Sequence, residues 1–587
     1  MARKAARRVA PKPGANGASG ERELIVIAAP DVALRATPRG LASLSGADMS
    51  AMSNLLARAG AVVRPLFGDS EERIQGAMAA AAEMGGVASG ALPDLSVFYR
   101  VEGPESRLDE LAARLVTVPG VDGAYVKPSA QPALPAAPAR EVIRLNTMTA
   151  READAPPVTP DFTARQVYLG PAPAGIDAEY GLTLAGGHGA GVRIIDIEGA
   201  WQFTHEDLTQ NQGGVVGTAI ADLDWRNHGT AVIGVIGGDR NSIGVTGIAS
   251  DAHVRGCSIF GGLGSAGALR KAADLLSPGD IILIELHRPG PNATGVGQQG
   301  YIPIEWWPDD YAAIRYAVTR GVVVVEAAGN GAQNLDDPVY DTPQPGFPAD
   351  WRNPFDRTQR DSGAVLVGAG APPPGTHGRD HGPDRSRLDF SNYGSAVDVQ
   401  GWGREVTTTG YGDLQGGGNE NLYYTDQFSG TSSASPVVVG ALACVQGALK
   451  AQQRIALDPT RARDLLRATG SPQQDAPGRP ATQRIGNRPD LRQLVPAALQ
   501  QNEWIGVQFI GTIPGNATQR WFSHSWPAHW HVDWRVMPIT PRPGGPQLRW
   551  HVEVERASEG HATYWITVTN LTPEEVIFEG RYAVLGW

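Results

Sequence analysis

Val322-Val323-Val324-Val325-Glu326-Ala327-Ala328-Gly329-Asn330 is an apolar run that ends in small residues and one amide. Its first four positions show no polar alternation, so it reads as a strand buried on both faces, the mark of a parallel sheet covered by helices. Val192–Ile197, His253–Phe260, Ile281–Leu286 and Val365–Ala369 share that composition. They alternate with helical segments from about Gly191 to Leu449. That order predicts an α/β fold with a mostly parallel sheet.

The ends of these runs carry chemistry. Carboxyl ends of parallel strands are where open α/β folds build their sites. Asn330 closes one run, and Arg193-Ile194-Ile195-Asp196 brings a carboxylate to the end of another. Asn227-His228-Gly229-Thr230-Ala231-Val232 places an imidazole at the start of an apolar helical run. Gly430-Thr431-Ser432-Ser433-Ala434-Ser435-Pro436 precedes the apolar stretch Val437–Leu449. Ser432 thus stands at the mouth of a buried helix, beside free N–H groups and a positive dipole end. A hydroxyl needs a general base, and the base needs a carboxylate to orient it. Ser432, His228 and Asp196 form such a set, and the Asn330 amide can donate to an oxyanion opposite the Ser432 N–H. Each piece alone has a plain reading as an N-cap, a core histidine or a turn residue. All four in order on one α/β pattern point to a serine hydrolase.

These motifs resemble the subtilase family of subtilisin-like serine peptidases over about residues 165–450. The residues that carry the resemblance are IIDIEGAW with HEDL, NHGTAVIGVIG, VVVVEAAGN and GTSSASP. The resemblance implies a subtilisin-like three-layer α/β/α fold and a serine endopeptidase acting through an acyl-enzyme. Asp196 would orient the base, His228 would be base and then acid, Ser432 the nucleophile, and Asn330 the oxyanion donor. It further implies a polypeptide substrate, a cleft lined by Glu285, Leu286, His287, Ala328, Gly329 and Gly346, and no cofactor for catalysis.

This chain departs from the pattern at several points. Glu198 stands where the family usually has Gly, adding a carboxylate near the triad. Glu285, His287 and Arg288 replace small residues and are expected to narrow or charge the pocket. Ser433 follows the nucleophile where many relatives carry Met. Asp239-Arg240-Asn241-Ser242-Ile243-Gly244-Val245 resembles the family's calcium loop. Its ligands would be Asp207 of HEDL with Asp239, Asn241, Ile243 and Val245. A solvated Gly-containing turn is the other reading of that stretch.

Outward from this core the chain divides into five parts. Residues 1–21 form a flexible basic tail with Arg3, Lys4, Arg7, Arg8 and Lys12. Residues 22–128 alternate strand-like and helix-like patterns, including a helix over Leu41–Ala59, and predict a small α+β (ferredoxin-like) domain with an antiparallel sheet. In outline this unit, closing on Asp122-Gly123-Ala124-Tyr125-Val126-Lys127-Pro128, resembles the propeptide that precedes many subtilase domains and implies a zymogen. Residues 129–164 are a Pro/Ala-rich linker, and 165–498 are the catalytic domain. Residues 499–587 show period-two alternation, as in His529–Val536, and read as an antiparallel β-sandwich. Its His524, His529, His531, His551 and His561 are read as solvated residues opposite a Trp-rich core rather than as a metal site. A second reading of function makes this sandwich the working part, binding glycan, protein or a lipid surface, with the peptidase serving only self-processing.

Composition agrees. A chain of 587 residues exceeds one hydrophobic core. The net charge of −11 argues against a nucleic-acid binder. No run of about 18 apolar residues predicts a membrane span. No apolar segment follows the basic tail, so an ordinary secretory signal is not expected, and the chain is placed in the cytoplasm or exported by a non-standard route. Cys257 and Cys444 lie in separate apolar stretches and read as two buried thiols, with one disulfide as the other reading.

Overall fold

The computed structural model describes residues 22–37, 40–83, 93–133, 156, 158–210, 213–500 and 504–586. The basic tail and most of the linker lie outside the described residues.

A seven-stranded sheet forms the centre, in the order Val397–Trp402, Val365–Gly370, Val323–Ala327, Ile281–Ile284, Arg193–Glu198, His253–Ser258 and Val215–Val216. Every neighbouring pair is parallel. Alternate residues of each strand feed two separate cores. Ile195, Ile197, Ile282 and Ile284 pack with the helices Gly264–Leu275 and Pro308–Thr319. Ile194, Ile281, Leu283, Val323 and Val325 pack with the helices Leu223–Gly237 and Thr431–Ala451. Both faces are covered, which is why the runs are apolar throughout.

Two differences from the sequence reading have physical causes. Val397–Trp402 escapes notice because Asp398 and Gln400 interrupt its apolar pattern, yet both are buried. Asp398 holds Arg357 through two oxygens, at 2.6 and 2.8 Å. The run Ile281–Leu286 breaks at Glu285. Its continuation, Leu286–Pro289, joins a separate sheet with Tyr301–Pro303 and Gln131–Pro132.

The helix Thr431–Ala451 is long and apolar enough to cross a membrane by composition, and its residues Thr431 to Leu449 are buried within the parallel-sheet unit. Cys257 and Cys444 are separate buried thiols.

The N-terminal unit has an antiparallel sheet in the order Val62–Pro65, Phe98–Glu102, Glu23–Ala28 and Val121–Lys127. The expected helix over 41–59 is shorter, Ser50–Ala59, because Leu34–Thr37 and Gly40–Ser43 pair as a hairpin. Gly40 and Gly46 take positive φ there, and the Ser43 and Ser45 hydroxyls bond the Val32 carbonyl, so the backbone is held out of a helix.

Residues 504–586 form two three-stranded antiparallel sheets, one of Trp504–Ile513, Val576–Gly586 and His531–Pro538, the other of Thr518–Pro527, His561–Asn570 and Leu548–Glu555. Trp526, Trp534, Tyr564 and Phe578 fill the space between them. His524, His529, His531 and His551 point outward and are exposed.

Candidate active site

The chain enters the helix Thr431–Ala451 through Gly430, whose φ of 108° is closed to residues with a side chain. A Cβ there would stand 2.4 Å from the Ala133 carbonyl oxygen and 3.1 Å from Asn330 Nδ2, with the Ser432 nitrogen at 3.5 Å. Glycine therefore leaves open a small space ringed by a peptide carbonyl, an amide donor and a backbone nitrogen. Ser432 is the second residue of the helix, so its N–H has no acceptor within it. Its Oγ donates to the Ala133 carbonyl at 3.1 Å.

Asn330 follows the strand Val323–Ala327. Its Oδ1 accepts from the Thr431 N–H at 2.9 Å and from the Thr431 hydroxyl at 3.0 Å. Those two bonds fix the amide and leave Nδ2 buried without a partner, turned toward the space before Gly430. A preorganised donor aimed at a peptide carbonyl is what an oxyanion hole requires.

His228 lies inside the helix Leu223–Gly237, which Asp222 caps by accepting from the Trp225 N–H at 3.0 Å. The imidazole is fully buried, with the edge of Phe428 against it. Its Nδ1 meets Glu198 Oε2 at 2.9 Å, and its Nε2 has no partner. Here the sequence reading is corrected: the carboxylate on His228 belongs to Glu198, not Asp196. Asp196 Oδ2 instead accepts from the Trp201 indole N–H at 2.8 Å, and its Oδ1 is unpartnered. Strand geometry explains the exchange. Ile194, Asp196 and Glu198 share one face, the face that meets the helix carrying His228. Glu198 is the last residue of the strand and has the longer side chain. The signal was present in the sequence as two acids at positions i and i+2. Period two puts both on the catalytic side but does not say which one reaches.

Burial dominates the electrostatics. It pushes Asp196 well above the usual carboxylate range, with repulsion from Glu198 adding to the effect. Burial also raises Glu198, while its contact with Asp196 acts in the opposite sense. Burial is the main cause that lowers His228 to about 4.

Of the expected cleft residues, Leu286 and His287 are strand partners of Pro132 and Gln131, so a segment of the chain itself lies along them. Gln298 Nε2 donates to the Pro132 carbonyl at 2.8 Å. The Glu285 carboxyl turns under the helix Thr431–Ala451, where Oε1 accepts from the Ser435 hydroxyl at 2.5 Å. His287 Nδ1 accepts from the Asn330 N–H at 3.3 Å, and burial lowers this imidazole to about 3. Arg288 does not enter the pocket, since its guanidinium reaches the Pro128 carbonyl and the Ser265 hydroxyl. Ala328 and Gly329 spend backbone groups on the scaffold, Ala328 O on Asn392 Nδ2 and Gly329 N on Thr431 Oγ1. Gly346 meets the N-terminal unit. Its carbonyl accepts from the Ala124 N–H at 2.8 Å, under the N-terminal sheet.

The residues of the calcium-like loop do come together, but their donors do not fit a cation. Asp207 Oδ1 accepts from Asn241 Nδ2 at 2.8 Å and Oδ2 from the Val245 N–H at 2.6 Å. Asn241 Oδ1 accepts from the Ile243 N–H, and Asp239 is taken by Thr209 and the Gln210 N–H. Calcium wants roughly six to eight oxygens turned to one point. These side-chain oxygens face N–H and O–H donors.

Comparison with known proteins places the site in context. Residues 199–488 match the model described as "Subtilase family". The chain is 29% identical over 264 residues to subtilisin Savinase of Lederbergia lenta, covering 44% of this chain and 77% of that protein. It is also 29% identical over 264 residues to an alkaline protease of Alkalihalobacillus alcalophilus, where the match spans 54% of that protein's length. Among solved structures, fervidolysin from Fervidobacterium pennivorans aligns with a TM-score of 0.46 at 15% identity, covering 97% of this chain and 70% of that one.

Proposed function

Through residues 199–488 the chain belongs to the subtilase family, and on that footing we propose that it is a serine endopeptidase whose catalytic set is Ser432, His228, Glu198 and Asn330. The observation that carries this reading is the Ala133 carbonyl, which accepts from the Ser432 hydroxyl beside the unpartnered Nδ2 of Asn330. A substrate carbonyl in that place is attacked by Ser432 Oγ, with Nε2 of His228 taking the proton. Glu198 holds Nδ1–H and stabilises the imidazolium that forms. Negative charge develops on the carbonyl oxygen, where Asn330 Nδ2 and the Ser432 N–H converge. Collapse of this intermediate breaks the C–N bond as His228 passes its proton to the leaving amine. Water deprotonated by His228 then attacks the ester, releasing the acid and returning the proton to Ser432 Oγ. With Ala133 seated, Ser432 donates to its carbonyl and the imidazole Nε2 stays free.

The same observation supports a processing role. Residues 22–133 act as a built-in inhibitor, with Gln131–Pro132 pairing in the cleft like substrate, and the Ala133–Leu134 bond is the first one cut. A fluorophosphonate probe tests the assignment. It should label Ser432 in the processed enzyme, with matching loss of casein hydrolysis. Ser432→Ala should stay full length and unlabelled, while the active chain acquires Leu134 as its new N-terminus. Hydrolysis by a protease-free Ser432→Ala preparation would sink the proposal.

A further inference from the structure

Asp196 and Glu198 leave one carboxyl oxygen each, Asp196 Oδ1 and Glu198 Oε1, buried and unpartnered. Both side chains are inaccessible to water. Two residues apart on one strand face, their Cα atoms stand roughly 6.6 Å apart, within reach for these side chains. The other two oxygens are committed, Asp196 Oδ2 to the Trp201 indole and Glu198 Oε2 to His228. A carboxylate has only acceptors, so two facing ionised groups would leave both spare oxygens unsatisfied and in repulsion. One proton between them satisfies both.

We infer that Asp196 is a positioning residue that keeps its proton and donates it from Oδ1 to Glu198 Oε1, so that Glu198 faces His228 as the single carboxylate. The inference rests on the endopeptidase reading above. The surroundings favour it. Leu283 and Gly256 are the strand partners of Asp196 on either side and carry no charge. The titratable groups facing the pair are His228, from the helix Leu223–Gly237, and Glu285, beyond the strand Ile281–Ile284. No Lys or Arg among the described residues forms an ion pair with Asp196, Glu198 or Glu285. The raised affinity of Asp196 for its proton and the opposing effect of the same contact on Glu198 agree with donation in this direction.

The consequence is chemical. A carboxylate that already accepts an O–H is a weaker base, so it stabilises the His228 imidazolium less. His228 then stays neutral, and usable as a base, to lower pH.

The test is the pH dependence of kcat/KM. Asp196→Ala removes the donor and should move the acid limb upward by about one pH unit, a tenfold change in the neutral fraction of His228 at a given pH. Asp196→Asn, whose amide can still donate to Glu198, should return the limb to the wild-type position at reduced kcat. If Asp196 is ionised instead, its removal takes away a charge that favours imidazolium, and the limb moves down. A downward shift or no shift overturns the inference. Infrared spectra of the full-length Ser432→Ala protein at neutral pH give a readout free of turnover. The carbonyl stretch of a neutral carboxylic acid should be lost on adding Asp196→Asn, and its persistence unchanged overturns the inference. Residual hydrolysis by Ser432→Ala would instead mark failure of the endopeptidase reading, since the infrared result does not depend on it.

Discussion

Glu198 Oε2 stands 2.9 Å from Nδ1 of His228, while Asp196, two residues earlier on the same strand, turns its carboxyl to the indole of Trp201. The longer acid at the strand end is therefore the one that reaches the imidazole, and on the proposed assignment it orients the base. Glu198→Gln keeps the shape but can present an N–H to Nδ1 and favour the wrong tautomer. We expect kcat to fall on the order of 10⁴-fold with KM little changed. Steady-state kinetics on a small chromogenic peptide check this, and Glu198→Gln activity within tenfold of wild type would return the role to Asp196.

Asn330 makes a separable contribution. Both bonds to its Oδ1 come from Thr431, so the amide is rigid before substrate arrives. Asn330→Leu removes the Nδ2 donor at similar volume. The expected loss is about 10²- to 10³-fold in kcat, with KM nearly constant, because the bond strengthens only as the oxyanion forms. A rise in KM at constant kcat would make Asn330 a ground-state contact instead.

Much of this was legible in sequence. The β-branched runs gave the parallel sheet, because burial on both faces removes polar alternation. Asn330 and Ser432 were singled out by their places at a strand end and a helix start and His228 by the apolar run that follows it, and the structure brings Asn330 and Ser432 to one space. The carboxylate was misassigned because periodicity fixes a face, not a reach. The strand Val397–Trp402 was hidden by Asp398 and Gln400, whose burial is made tolerable by partners distant in sequence, Arg357 among them. The occupant of the cleft was hidden for the same reason, since Ala133 meets Ser432 across 299 residues.

His205 offers a test of pH-dependent stability. It is fully buried, its Nε2 meeting the Tyr423 carbonyl at 2.9 Å and its Nδ1 accepting from the Asp207 N–H at 3.2 Å. That arrangement uses the neutral ring, and burial lowers the imidazole to about 4 from an ordinary 6.5. The unfolded chain takes up the proton first. The stabilisation is thus complete above pH 6.5 and is lost as pH falls toward 4, by roughly 3 kcal/mol in all. His205→Gln can still donate and accept but does not titrate. Urea unfolding between pH 6.5 and 4 should then show a slope smaller by one proton, about 1.4 kcal/mol per pH unit. Equal slopes would show that His205 titrates normally in the folded protein.

The last prediction concerns what holds residues 22–133 in the cleft. Lys127 is wholly buried, and its ammonium contacts Asp309, Asp310 at 3.3 Å, Glu23 at 3.2 Å and the Ser265 hydroxyl at 3.2 Å. Asp309 also accepts from the Tyr125 hydroxyl at 2.9 Å, and Arg288 reaches the Pro128 carbonyl from the same cluster. Lys127, Tyr125 and Glu23 come from the N-terminal sheet, whereas Asp309 and Asp310 open the helix Pro308–Thr319. The cluster is therefore a charged bolt between the N-terminal unit and the parallel-sheet unit, placed a few residues before Gln131–Pro132 pairs with Leu286 and His287. Removing one member of a buried ion cluster leaves uncompensated charge and costs roughly 3–5 kcal/mol, about 10²- to 4 × 10³-fold in affinity. Lys127→Met should raise the inhibition constant of residues 22–133, added in trans to the processed enzyme, by that factor. The surrounding carboxylates raise the Lys127 pKa against its desolvation. The contribution is thus fully present below the ordinary lysine value of about 10.5 and is lost only above it. Inhibition by the wild-type fragment should owe none of its pH dependence between 5 and 9 to Lys127. Circular dichroism confirms that each fragment is folded before the comparison. A folded Lys127→Met fragment that inhibits as tightly as wild type would remove the bolt, and leave strand pairing at Leu286 and His287 as the grip that matters.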